Sequence, residues 1–196
     1  MLPQIFLARH GQTDWSLTGR HTGRTDALLT TDGENEARRV GQRLSGLAFE
    51  HVFSSPRGRA TRTCAIAGVS DRPQIDEDLR EWDYGDYEGL RSAEILARHP
   101  EWNVFLHGCP GGESPEDVCE RADRAVRKLQ TLSGSIVVFS HGHFLRVLAV
   151  RWINLPVSAA QRFYLNTGSV SLLGFEHERR EEPVIRLWNE RPPISG

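Results

Sequence analysis

Lysine is almost missing from this chain. Of 24 basic residues only Lys128 is a lysine, so an anion site here has to be built from arginine, whose planar fork is permanently charged. Cysteine is scarce too. Cys64, Cys109 and Cys119 are odd in number and lack paired metal-ligand spacing, which argues against a disulfide framework and fits reduced thiols in a cytoplasmic protein. No apolar run approaches the length that crosses a bilayer. The run Ile5-Phe6-Leu7-Ala8 is too short for a secretory signal and ends at Arg9, so no leader is expected. The formal net charge is only -2, which gives no reason to expect nucleic acid or an anionic membrane as a partner. Repeats, low-complexity tracts and interdomain linkers are absent as well. The 196 residues suit one domain, 1–196, with a sizeable core. Composition leaves the oligomeric state open, a homodimer included.

What is present is an alternation of apolar runs with helix-like stretches. Residues 3–8 read as a buried strand. Thr31 opens a helix with a Thr31-x-x-Glu34 capping box, and amphipathic spacing continues to about residue 44. Residues 51–54 are a second short strand, after which Ser55 and Pro56 supply an N-cap and first-turn proline for a helix to about residue 67. Residues 74–76 read as a short strand. Ser114-Pro115 starts another helix, with apolar positions at Val118, Ala122, Ala125, Val126 and Leu129. Residues 135–140 are the third clear strand, followed by a helix over about 142–153. Residues 170–176 and 184–189 form an antiparallel pair around a polar turn at 177–182. This order predicts an α/β fold: a three-layer sandwich with a mostly parallel sheet, helices on both faces and an antiparallel C-terminal strand pair. In such sheets ligands gather beyond the carboxyl ends of the strands.

Three strands exit there into basic turns: Arg9-His10-Gly11, then Ser54-Ser55-Pro56-Arg57-Gly58-Arg59, then His141-Gly142-His143. Parallel strands would bring two imidazoles and at least two guanidiniums to one edge, where they repel unless an anion joins them. A phosphoryl group suits such a set. Arginine forks take its oxygens bidentately, the helix after His141 adds N–H donors, and the glycines let the backbone approach a ligand. Flanking guanidiniums keep an imidazole neutral and therefore nucleophilic. An expelled alkoxide needs a proton, and Glu81 in "LREWDYGDYEG" is placed to give it, with Trp82 and Tyr84 expected to form the apolar surroundings that keep a carboxylic acid protonated.

"RHGQT", "SSPRGRATRT", "LREWDYGDYEG" and "SHGHFLR", in that order over nearly the whole chain, resemble the histidine phosphatase superfamily, also called phosphoglycerate mutase-like. The resemblance implies a phosphate pocket of Arg9, His10, Arg59 and His141, with His10 as nucleophile, one of its ring nitrogens held by a carbonyl near Gly11, and Glu81 as proton donor. Many members have Trp-Asn after the RHG turn, where this chain has Trp15-Ser16, so Ser16 is the expected, shorter phosphate contact. "HTGRTD" and "SHGHFLR" look most like the small phosphatases that include bacterial acid phosphatases and sedoheptulose-bisphosphatase. That implies a small phosphorylated metabolite, a sugar phosphate or bisphosphate, with Gly142, His143, Arg146 and Arg24 as further substrate-binding candidates.

Blander alternatives stand beside these. His10 and His141, each taken alone, are ordinary strand-end histidines. Arg24, Arg57 and Arg62 read as solvated or structural cations rather than catalytic groups, with Arg24 kept among the substrate-binding candidates. His141-x-His143 has a metal-like spacing but no matching carboxylate or Cys cluster, so neither metal nor cofactor is expected. Asp83, Asp86 and Glu88 read as loop-capping carboxylates, and Trp82 and Tyr84 as core or pocket wall. The 107–114 loop, with "GCPGG", is long enough for a lid. His21, His51, His99, His107 and His177 carry no motif. Besides a phosphatase, a mutase returning the phosphoryl group to bound product and a phospholigand-binding module without turnover remain open.

Overall fold

The structure is a computed structural model that describes residues 2–191. Six strands, β1 (Gln4–Arg9), β2 (His51–Ser54), β3 (Gln74–Ile75), β4 (Ser135–Ser140), β5 (Val170–Phe175) and β6 (Pro183–Glu190), form one sheet in the order β3-β2-β4-β1-β5-β6. β1 to β4 are mutually parallel, whereas β5 runs antiparallel to both β1 and β6. Seven α-helices are found among the described residues: α1 (Asp14–Leu17), α2 (Thr31–Leu44), α3 (Gly58–Ile66), α4 (Ser92–Leu96), α5 (Val104–His107), α6 (Pro115–Thr131) and α7 (Gly142–Trp152).

Strand alternation splits the core into two layers. Ile5, Leu7, Ile136 and Val138 lie in one buried cluster, with Ala122, Ala125 and Leu129 of α6 and Leu145 and Leu148 of α7. Phe6, Ala8, Val137 and Phe139 lie in the other, with Val40 and Leu44 of α2 and Ala60 and Cys64 of α3. Helices therefore cover both faces, and β1 and β4 are apolar on each side because neither side meets water.

Two helix starts differ from the sequence expectation. The N-cap of α2 is Thr30, whose side chain accepts from Gly33 N–H, so Thr31 is the first helical residue. The helix after β2 begins at Gly58 with Arg57 at its N-cap, because Ser55 is drawn to another partner described below. Ser114 caps α6 as expected, with Pro115 in the first turn and Asp117 closing the capping box.

The parallel register sets the site. Arg9 pairs with Ser140 and Ser54 with Phe139, and the chain continues so that His10 N–H bonds Ser140 O at 3.0 Å and Ser55 N–H bonds Phe139 O at 2.9 Å. His10, Ser55 and His141 thus emerge side by side. Gly11 serves packing here rather than ligand approach. A Cβ on it would lie 2.2 Å from Gly33 O, so only glycine lets the β1 exit abut the first turn of α2.

Candidate active site

Arg9, His10, Ser16, Glu81, Gly142, His143 and Arg146 line one cavity of about 240 Å3 beyond the carboxyl edge of the sheet. His10 Nδ1 donates to Gly11 O at 2.7 Å. A carbonyl can only accept, so Nδ1 carries the proton and Nε2 carries the lone pair. Burial, then the charges of Arg59 and Arg9, hold the His10 imidazole well below its usual proton affinity, with the Gly11 bond opposing them. The ring is neutral at physiological pH.

Arg59 and His141 lie in the layer beneath. Their rings and forks are interlocked: Arg59 Nε–H donates to His141 Nδ1 at 3.1 Å, so His141 Nε2–H donates to Ser55 Oγ at 2.7 Å. The other Arg59 donors reach Thr25 O and Thr22 O, each at 2.8 Å. The His10 and His141 ring centroids are 5.1 Å apart. Arg9 donates to Leu165 O, while its buried Nε has no partner. Gly142 makes room for that guanidinium, since a Cβ there would sit 3.1 Å from Arg9 Cζ.

The Glu81 carboxylate sits at the N-terminus of α7. Its Oε1 accepts from Trp82 N–H and Phe144 N–H, both at 2.9 Å, and its Oε2 from His143 N–H at 3.1 Å. Two amides of the α7 N-terminus, expected to face a phosphate, are thus given to Glu81. The apolar surroundings expected for this carboxyl are also replaced by these three donors. Trp82 points into the core and donates its indole N–H to Glu113 O at 2.9 Å, whereas Tyr84 lines the cavity and pairs with His143 Nδ1 at 2.7 Å.

The segment carrying Glu81 is braced from two sides. Buried Arg121 of α6 grips Glu113 with two bonds of 2.9 Å and donates to Asp78 O at 2.8 Å and Arg80 O at 2.7 Å. The 108–113 loop docks on residues 83–86 through Glu113 N–H to Asp83 O at 2.9 Å and Asp86 N–H to Pro110 O at 2.8 Å. It does not line the main cavity, so it is a buttress and not a lid.

Three candidates do not line the main cavity: Arg59 and His141, which lie beneath it, and Arg24. The Arg24 side chain is 69% exposed, ion-pairs with Asp83 and lines a neighbouring cavity. Ser16 lines the site, yet its hydroxyl closes the α1 capping box by accepting from Thr13 N–H at 2.8 Å, and it donates to Thr13 O at 2.9 Å. Arg146 lines the site with its fork bonded to Ala160 O and lying 4.4 Å from the Phe105 ring centroid. His141 and His143 diverge to different partners, and among the described residues no set of three metal-type ligands converges. Sequence reasoning missed Ser55 as the partner of His141, and Thr13, Arg20, His21 and Tyr164 as lining residues. Arg121 left a signal: a cation three residues after Val118 and four before Ala125, on the apolar stripe of α6. His21 left none.

The comparisons agree with this architecture. The family description "Histidine phosphatase superfamily (branch 1)" matches residues 5–191. An acid phosphatase of Mycobacterium tuberculosis is 42% identical over 98% of this chain and 97% of its own length. Sedoheptulose 1,7-bisphosphatase of Saccharomyces cerevisiae is 31% identical over 95% of this chain and 93% of its own. A probable phosphoglycerate mutase of Salmonella choleraesuis is 32% identical over 90% and 86%. The solved structure of an open-reading-frame product from Mycobacterium tuberculosis superposes with a TM-score of 0.91 at 38% identity, covering 97% of this chain and 98% of that one. The chain belongs to the histidine phosphatase superfamily, branch 1, and is a phosphatase of that family.

Proposed function

We propose that this enzyme hydrolyses small phosphate monoesters, sugar phosphates or bisphosphates among them, through a phosphohistidine on His10. The observation that carries the reading is the His10 tautomer: Nδ1 is tied to Gly11 O, and Nε2 is left free on a ring that lines the cavity. In the first half-reaction the Nε2 lone pair attacks phosphorus, the P–O ester bond breaks, and Glu81 gives its proton to the departing alkoxide. In the second, water attacks phosphorus, the P–N bond breaks with its electrons returning to Nε2, and Glu81 takes the water proton. Ester and water become alcohol and phosphate.

Arg9, with a buried Nε awaiting a partner, is the cationic contact for the phosphoryl oxygens. Arg59 and His141 support His10 from below, Arg59 through its charge and His141 by fixing the Arg59 fork. Glu81, bound by three amides, gives its proton in the first half-reaction and recovers one from water in the second.

The mutase alternative is favoured by relatives from several Salmonella strains that are named probable phosphoglycerate mutases. One experiment separates the two: incubate the purified protein with sugar phosphates, sugar bisphosphates, monophosphoglycerates and bisphosphoglycerate, and follow inorganic phosphate and product positions together. Phosphate release from monoesters, unaffected by EDTA, is expected. Positional exchange without release would make it a mutase, and neither outcome would make it a binding module.

A further inference from the structure

Glu81 lines two cavities. The second, of about 190 Å3, is bounded by Arg24, Arg57, Arg80, Asp83 and Glu113 besides Glu81. Its charges do not cancel evenly. Asp83 is paired with Arg24, and Glu113 is held by Arg121 through two bonds of 2.9 Å. Arg80 meets Glu77 at 3.4 Å, a contact in which both side chains are exposed to water and which therefore contributes little. Arg57 has no ion pair and no side-chain hydrogen bond among the described residues, although its Nε is buried.

A buried guanidinium nitrogen without a partner is costly and uncommon. Among the described residues just two buried side-chain nitrogens or oxygens are in this condition, Arg9 Nε and Arg57 Nε. Both are the same chemical group. The first lies in the cavity of the proposed phosphoryl site, where an oxyanion would satisfy it.

We infer that the second cavity is a second oxyanion site, taking a phosphate or carboxylate on Arg57 with Arg80 beside it. Resting on the phosphatase reading above, the occupant is the second anion of a doubly charged phosphate ester. The residue shared by the two cavities is the proton donor, and the atom it serves is the ester oxygen. A substrate with its reacting phosphoryl group on one side of that oxygen and a second anion on the other would run past Glu81 from the first cavity to the second. The other source of the same chemistry is free inorganic phosphate or sulfate.

The test compares wild type, Arg57→Gln and Arg62→Gln. Arg62 is exposed and paired with Glu34, so its variant controls for loss of one charge. Fructose 1,6-bisphosphate serves as the two-anion probe and p-nitrophenyl phosphate as the one-anion probe, and sulfate binding is counted by calorimetry. Losing a charge-assisted hydrogen bond should lower the ratio of kcat/KM for bisphosphate over aryl phosphate on the order of tenfold in Arg57→Gln, and not in Arg62→Gln. An unchanged ratio with one of two bound sulfates lost would assign the site to a free anion. An unchanged ratio with sulfate stoichiometry equal to wild type overturns the inference. Arg80→Gln gives the same readouts should Arg57→Gln fail to fold. If the wild type hydrolyses neither ester, the phosphatase reading fails, while the sulfate count still decides the site.

Discussion

His10 and Glu81 are both fixed from the backbone, one by a carbonyl and the other by amides, and this opposition separates their roles. A carbonyl bound to Nδ1 leaves an electron pair on the far nitrogen. Amides bound to both carboxylate oxygens place a group that can give or receive a proton without moving. Glu81→Gln can keep the bonds from Trp82 and Phe144 N–H through its carbonyl oxygen, loses the one from His143 N–H, and cannot transfer the proton. It is expected to lower kcat for alkyl phosphates by roughly 10²–10⁴-fold and to spare p-nitrophenyl phosphate, whose leaving oxygen needs little help. Equal losses on both esters would remove Glu81 from the acid role. At this scale the sequence was most legible where a strand exit carries the residue, since Arg9, His10 and His141 need only parallel strands to meet. Arg24 falls outside the main cavity because its position is set by Asp83, far along the chain, and Ser55 meets His141 instead of capping a helix, a long-range contact that no local pattern encodes.

The acid is no better placed than the segment beneath it, and that segment is held by α6 and the 108–113 loop. Arg121 has a side chain that is 3% exposed and pairs with Glu113, which is 19% exposed. Removing one partner of such a pair costs roughly 3–5 kcal/mol. Arg121→Met should accordingly lower Tm by about 10 °C in a chain of this size, and should slow alkyl phosphate turnover more than aryl phosphate turnover as Glu81 loses its seat. A Tm within a degree or two of wild type, measured by differential scanning fluorimetry, would mean that the brace is not structural. Long elements were readable from period and caps: α2, α6, α7, β1 and β4 fall within a residue or two of expectation. The helices α1, α4 and α5 span only four or five residues, too few for a period to show, and it is Thr13 and Ser16 around α1 that shape one wall of the cavity.

The whole molecule buries several imidazoles at once. His10, His141 and His143 are held well below the ordinary histidine value by burial first and neighbouring cations second, and His21 is lowered to about 4, again mainly by burial. In the folded state these rings stay neutral, whereas the unfolded chain protonates them below about pH 6.5. Under that pH the unfolded state binds more protons, so stability falls as pH falls, by about 1.4 kcal/mol per pH unit for each such ring. Above it these histidines add no pH dependence. Urea midpoints should therefore be flat from pH 8 to 7 and decline steadily from about 6.5 towards 4.5, and a profile flat to pH 5 would contradict the burial described here. The topology of the parallel strands and both helical layers could be expected from the alternation of elements. That β5 inserts antiparallel beside β1 could not, because strand order depends on which edge the chain returns to and no local pattern encodes it.

Rapid acid-free quenching during turnover of a ³²P-labelled monoester, followed by peptide mapping, bears on the reaction most directly. Acid-labile, alkali-stable phosphate on the peptide containing His10, absent from a folded His10→Ala variant that has lost turnover, is the expected result. Full turnover with no label on the protein, or label on another histidine, would contradict it.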